Sequence, residues 1–214
     1  TATDAAGNVS AATTLTVEVD TTASSAPLAV LDVSADTGVT GDGITSNTKP
    51  VISGSAATSG DTITVTVPGG EVLTATVAAN GTWSVTPTVA LDAGETDLSI
   101  TATDPAGNVS AATTLTVEID LTAPSAPGAV LDVSADTGVL GDGITNNAKP
   151  TISGSAATSG DTITVTVPGG EVLTTTVAAN GTWAVTPTVA LDAGETELSI
   201  TATDPAGNVS AATS

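Results

Sequence analysis

The 214-residue chain has no cysteine, histidine, methionine, tyrosine or phenylalanine, and its only aromatic side chains are Trp83 and Trp183. Without Cys or His there is no disulfide framework, no zinc site of the usual kind, no haem ligand and no Ser-His-Asp or Cys-His nucleophile. Cations are almost missing too. Lys49 and Lys149 face 23 carboxylates, for a formal net charge of −21. Phosphate binding needs Lys and Arg to displace counterions, so this balance repels nucleic acid and anionic membrane. No apolar run approaches the ~20 residues of a membrane-spanning helix. Paired carboxylates alone suit a glycosidase, but with no His, no Arg and no aromatic-lined cleft the chain does not read as an enzyme. What remains is a soluble acidic protein able to coordinate hard cations through oxygen.

The composition favours a folded chain: 40% of residues are hydrophobic, and many others are Thr, which favours strands. Repetition is the strongest signal. Residues 1–100 and 101–200 differ at only 12 positions (5, 19, 21, 24, 28, 40, 46, 48, 51, 75, 84 and 97), and residues 201–214 begin a third copy. A period near 100 matches one small autonomous domain. The proline-bearing segments 21–27 and 121–127 read as linkers. They divide the chain into the C-terminal strand of a preceding repeat (1–22), a complete repeat (23–122) and a repeat lacking its last strand (123–214). Beginning at Thr1, the chain reads as a piece of a longer protein whose export signal lies outside it. The copy ending at Ser214 lacks a counterpart of Leu115-Thr-Val-Glu-Ile119, while residues 15–19 carry that sequence at the other end. Strand complementation between copies, or a longer array, is therefore expected.

Within a repeat the apolar period is two, as in Thr62-Ile-Thr-Val-Thr-Val67, and no stretch sustains a 3.6 period. Strands are expected at 29–34, 50–55, 61–67, 71–78, 82–87, 96–103 and 109–119, with Asn80-Gly81 as a hairpin turn. Seven strands in about 100 residues predict an all-β fold of tandem immunoglobulin-like sandwiches in an elongated array. Trp83 is expected in the core.

Five motifs in order resemble a known family: Asp-Thr-Gly-x-x-Gly-Asp-Gly-Ile-Thr at 136–145, Lys-Pro-Thr-Ile-Ser-Gly at 149–154, Ala-Asn-Gly-Thr-Trp at 179–183, Thr-Ala-Thr-Asp-Pro-Ala-Gly-Asn-Val-Ser at 101–110 and Asp-Leu-Thr-Ala-Pro-Ser-Ala-Pro at 120–127. The series resembles bacterial immunoglobulin-like repeats, the tandem extender domains of giant type I-secreted (RTX) biofilm adhesins. That resemblance implies an extracellular spacer at the bacterial surface, rigidified by calcium between a membrane anchor and a ligand-binding tip. Its partners would be the neighbouring repeats.

Most acids lie in loops and at strand ends. In such a sandwich Asp36, Asp42, Glu71, Asp92, Glu95 and Asp120 gather at one end of a repeat, and Asp161, Asp204 and Asn208 crown the repeat that follows. Carboxylates within one Debye length, about 8 Å at physiological salt, repel strongly. With basic residues missing, a divalent cation is the natural counter-charge. Ca²⁺ accepts six to eight oxygens in a flexible shell, which suits Gly/Asp/Asn loops better than Mg²⁺ does. Two clusters are candidate ligands: the loop pair Asp36 and Asp42, repeated as Asp136 and Asp142, and the loop pair Asp104 and Asn108 with a linker aspartate. The latter recurs as Asp4 and Asn8 and as Asp204 and Asn208, with Asp20 and Asp120 in the linkers. Neither cluster has EF-hand spacing. The alternative is a glycan- or protein-binding module that uses its loops.

Overall fold

Alternation decides which residues turn inward. In the computed structural model, which describes residues 1–55, 57–155 and 157–214, the first repeat forms β1 (Val30–Leu31), β2 (Ile44–Thr45), β3 (Ile52–Gly54), β4 (Thr62–Thr66), β5 (Val72–Thr76), β6 (Trp83–Val85), β7 (Gly94–Thr103) and β8 (Thr113–Ile119). The second forms β9 (Val130–Leu131), β10 (Ile152–Gly154), β11 (Thr162–Thr166), β12 (Val172–Thr176), β13 (Trp183–Val185) and β14 (Ser199–Thr203). No helix occurs among the described residues. The first repeat is a sandwich of a three-stranded sheet, β1-β3-β6, and a five-stranded sheet, β2-β8-β7-β4-β5. The second repeats this plan as β13-β10-β9 and β12-β11-β14.

On β4 the inward Ile63 and Val65 are fully buried, while Thr62 and Thr66 are exposed. They meet Ile52 from the opposite sheet and Leu98, Ile100 and Val117 from the same one. Each such side chain contributes about 1.5–3 kcal/mol by leaving water. Trp83 is buried in this core, as expected. Its indole lies over β3 at Gly54, where an added Cβ would stand 2.5 Å from the ring and 2.0 Å from the Leu28 carbonyl oxygen. Only glycine fits there.

Four details depart from the sequence reading. The first strand shrinks from 29–34 to Val30–Leu31 because the chain turns at Asp32, whose carbonyl accepts the Ala35 and Asp36 amides. Asn80-Gly81 does make a turn, with the Ala78 amide donating to Thr82 O, but no hairpin follows. Its arms, β5 and β6, enter opposite sheets, which lets Val77 and Trp83 reach the core from both sides. The final strand begins at Thr113 rather than residue 109, since Val109 bridges back to Thr103. An unexpected element, β2, pairs parallel to the end of β8.

Candidate cation site at the joint between repeats

The loop Asp104-Pro-Ala-Gly-Asn108 folds by purely local bonds. The Asp104 carboxylate accepts the Asn108 amide at 2.8 Å and its side-chain Nδ2 at 2.8 Å. The Asp204–Asn208 loop repeats these contacts at 2.8 and 3.0 Å. Asp4 and Asn8 do the same at 2.9 Å for both bonds, although residues 1–22 have no sandwich of their own. The sequence Asp-x-Ala-Gly-Asn therefore encodes its turn without tertiary help. Donation by the asparagine side chain, with backbone amides, holds the Asp4 and Asp104 carboxyls below the usual range.

The same asparagines clasp the linkers. Asn208 Nδ2 donates to the Asp120 carbonyl at 3.0 Å, and Asn108 Nδ2 to the Asp20 carbonyl at 3.2 Å. Asp120 in turn uses Oδ1 to accept the Thr122 amide at 2.8 Å. The linker, the loop after β14 and the start of the second repeat thus meet at one place.

The first repeat supplies the other wall. The Val39 amide donates to Pro205 O at 2.8 Å, and the Thr37 hydroxyl to Ala206 O at 2.5 Å. Ala206 is completely buried, whereas Ala106 at the equivalent position, with no loop before it, is exposed. The approach is close: a Cβ on Gly38 would lie 2.1 Å from Pro205 O, and Gly38 has φ +75°. The loop that makes this contact is shaped by its own acids. Asp36 Oδ2 accepts the Gly41 amide at 2.5 Å and Asp42 Oδ1 the Ile44 amide at 2.9 Å. Asp136 and Asp142 do the same at 2.6 and 2.9 Å. All four carboxylates therefore serve as loop-closing acceptors, while the buried Oδ1 atoms of Asp36 and Asp136 have no partner.

A further pair of acids was absent from the expected ligand set. Asp61 and Asp161 precede β4 and β11 and are 0% and 1% exposed. Neither oxygen of Asp61 has a hydrogen-bond partner, nor does Asp161 Oδ2. Burial, reinforced by the Asp204 charge and opposed by the Thr158 hydroxyl, pushes the Asp161 carboxyl above the usual range. The signal was present in the sequence: Asp61 shares the parity of Ile63, Val65 and Val67, so the strand that aims those residues at the core aims the carboxylate inward too. Neither lysine relieves this charge, because Lys49 and Lys149 donate to the Thr88 and Thr188 carbonyls at 2.6 and 2.5 Å.

The joint therefore brings together Asp161, Asp204, Asn208 and the Asp120 carbonyl, and the upper end of the first repeat carries Asp61, Asp104, Asn108 and the Asp20 carbonyl. Among the described residues no three carboxylates form a ready cage. A cation here must draw on backbone and amide oxygens as well, the mixed donor set that Ca²⁺ accepts. The orphaned oxygen of Asp161 and its charged neighbour Asp204 fit such a ligand.

Two tandem sandwiches joined in this way define a modular all-β protein. The chain belongs to the bacterial Ig-like domain family, whose model matches residues 23–121 and again 122–214. Among solved structures it is similar to one described as giving insight into host cell surface retention of a 1.5-MDa bacterial ice-binding adhesin (29% identity over 88% of this chain and 62% of that one, TM-score 0.42). It is also similar to a tetra-tandem repeat in the extending region of a large adhesion protein (24%, 91% and 50%, TM-score 0.32) and to the BSP domain of a biofilm associated protein (29%, 88% and 28%, TM-score 0.30). The chain thus spans less than two thirds of the length of each. No curated protein sequence matches it.

Proposed function

We propose that the chain is a run of spacer repeats in a bacterial surface adhesin, holding a distal binding region away from the cell, and that Ca²⁺ at the joints sets their stiffness. One observation carries the reading. The joint is a built contact between successive repeats, and beside it stands a buried carboxylate with an unpartnered oxygen and a second carboxylate as neighbour. Near-identity of the repeats also favours a spacer, since equal beads extend a chain without diversifying a recognition surface. Trp83 and Trp183 are buried, so neither offers the exposed aromatic anchor that recognition surfaces favour.

The ligand set we assign to the joint is Asp161, Asp204 and Asp120, with Asn208 holding the linker in place. Asp61, Asp104 and Asp20 form its equivalent one repeat earlier, and Asp4 belongs to a still earlier one. Asp36, Asp42, Asp136 and Asp142 shape the loops that press on the following repeat. Bound Ca²⁺ would supply positive charge to these carboxylates and tie the linker to the loop after β14. With a dissociation constant of about 10⁻⁴–10⁻³ M, as in extracellular modules, a tenfold excess of calcium would stabilise a site by roughly 1.4 kcal/mol. The test is calorimetric titration of the chain with calcium, beside the Asp161→Asn and Asp204→Asn variants. Millimolar-range binding that weakens in both variants is expected. No heat, or binding indifferent to both, rejects the assignment.

A further inference from the structure

The edges of a sheet decide what can be added to it. Among the edge strands of the first repeat, β1, β2 and β6 have two, two and three residues, and strands this short offer little for another chain to pair with. β5 is different. It ends the five-stranded sheet with five residues, Val72-Leu-Thr-Ala-Thr76, that carry no charge and no proline. Its ladder with β4 shows which main-chain groups stay free. The Val67 amide donates to Glu71 O at 2.9 Å and the Val77 amide to Asp61 O at 2.8 Å, so residues 71, 73, 75 and 77 turn their main-chain groups towards β4. By the alternation of an antiparallel pair, those of Val72, Thr74 and Thr76 point away from it. Among the described residues none of these outward groups has a hydrogen-bond partner.

The second repeat reproduces the arrangement. β12 ends its sheet, alternates in exposure as β5 does, and has the same Val167-to-Glu171 and Val177-to-Asp161 bonds at 2.9 and 2.8 Å. β5 has a repeat after it and β12 a repeat before it, so neither neighbour in the array covers this edge. A groove of about 510 Å³ beside β5, lined by Ala75 and Thr76 and by Trp83 and Ser84 of β6, leaves its flank open as well. The acid at the entrance to each strand does not guard it. Glu71 and Glu171 turn aside to accept the Thr88 and Thr188 amides at 2.8 Å. On a chain of net charge −21, an uncharged edge is where a second copy meets the least repulsion.

We propose that β5 and β12 are lateral docking edges, each pairing with either of the same two strands in a second copy of this chain. The five residues are self-complementary about their centre. In antiparallel pairing across a two-fold axis Thr74 meets Thr74 and Val72 meets Thr76, so every free main-chain donor finds a free acceptor. Leu73 then faces Ala75, and no charged side chain faces another within the five residues. Main-chain bonds supply the affinity, helped by cross-strand contacts between β-branched side chains. The axis lies across the strands, so the paired chains run in opposite directions, as chains extended from two facing surfaces do. Each chain carries two edges, and assembly does not stop at a dimer. The net charge opposes approach and salt screens it, so association strengthens with ionic strength. The pairing itself needs neither calcium nor a surface.

Sedimentation velocity in EDTA, at protein concentrations from about 1 µM to about 1 mM, tests this with two double variants. Thr74 and Thr174 are exposed, so Thr74→Glu with Thr174→Glu keeps the fold and sets like charges opposite each other in the pair. Ser99→Glu with Ser199→Glu adds the same charge at exposed positions of β7 and β14, two strands away from the edge. The parent is expected to grow in mean mass with concentration, more readily in about 0.5 M NaCl. The edge variant should stay monomeric, and the β7/β14 variant should assemble as the parent does. Amide hydrogen exchange at Val72, Thr74 and Thr76 and their β12 counterparts should slow as the parent assembles. A parent that is monomeric at the highest concentration overturns the proposal, as does equal assembly of the parent and the edge variant. A β7/β14 variant as monomeric as the edge variant would mean that added charge, not the edge, decides assembly, and overturns it. Exchange at these amides that does not respond to concentration places the contact elsewhere and overturns it too.

Discussion

At the residue scale the informative atom is a carboxylate oxygen with no partner. A buried ionised Asp161 beside Asp204 is a cost that the local fold bears without a cation, since desolvation and like charge both disfavour the anion. Asp161→Asn removes that cost while keeping the shape. In EDTA the variant is expected to be more stable than the parent by about 1 kcal/mol, and in millimolar calcium to be less stable. Thermal melts in the two buffers read this reversal of sign.

The pH dependence follows from the same group. Its folded-state value lies above the unfolded one, so the native state binds the proton more tightly and stability falls as pH rises through the folded value. In EDTA, acidification from neutrality towards the ordinary aspartate value of about 3.8 should therefore stabilise the second repeat. Asp104 acts in the opposite sense and in a separate window. Its folded value lies below 3.8, so its contribution is complete above that pH and is lost only as pH falls further. Urea titrations at a series of pH values in EDTA should show the gain first and the loss afterwards, and Asp161→Asn should abolish the gain alone.

At the scale of elements, the twin repeats let one substitution be made twice. Leu98 is fully buried under β8, whereas Leu198 is half-buried. Leu98→Ala is expected to cost the first repeat about 2–5 kcal/mol, the usual range for a buried leucine. Leu198→Ala should cost the second repeat less than half as much. Denaturant unfolding of the two variants checks this. Comparable losses would mean that Leu198 is as well covered in solution as Leu98.

The elements also show what a sequence can disclose. Thr-Ile-Thr-Val-Thr announces β4, because a period of two is a local property and the sheet has one wet face. The Asp-x-Ala-Gly-Asn turn was equally readable, since its bonds span four residues. β2 was not: two residues carry no period, and Ile44-Thr45 becomes a strand only because Glu118 and Ile119 lie alongside. The hairpin expected at Asn80-Gly81 failed for a related reason. The dipeptide specifies a reversal but not which sheet receives the second arm. For the candidate site, the sequence placed Asp161 with the Asp204–Asn208 loop at one end of the repeat, next to the linker aspartate. It did not reveal that Asp161 would be buried beside them, because that demanded extending the inward parity of β11 one step past its apolar residues.

At the scale of the whole molecule, the joint is where small changes have long reach. Thr37, Gly38 and Val39 of one repeat press on Pro205 and Ala206 of the next, with no room for a side chain at position 38. Gly38→Val should displace the contact while leaving each sandwich folded, at a local cost of ~1 kcal/mol for the left-handed backbone. Its far-ultraviolet dichroism should match the parent's, and distances between spin labels on the two repeats should spread. A distribution as narrow as the parent's would show that the loop contact does not set the joint.

The central claim, that calcium at the joint governs stiffness, is tested most directly by small-angle X-ray scattering of the chain in millimolar calcium and again in EDTA. The account predicts a larger maximum dimension and a narrower set of interdomain arrangements with calcium, and a shorter, broader distribution after chelation. Identical scattering curves in the two buffers would contradict it.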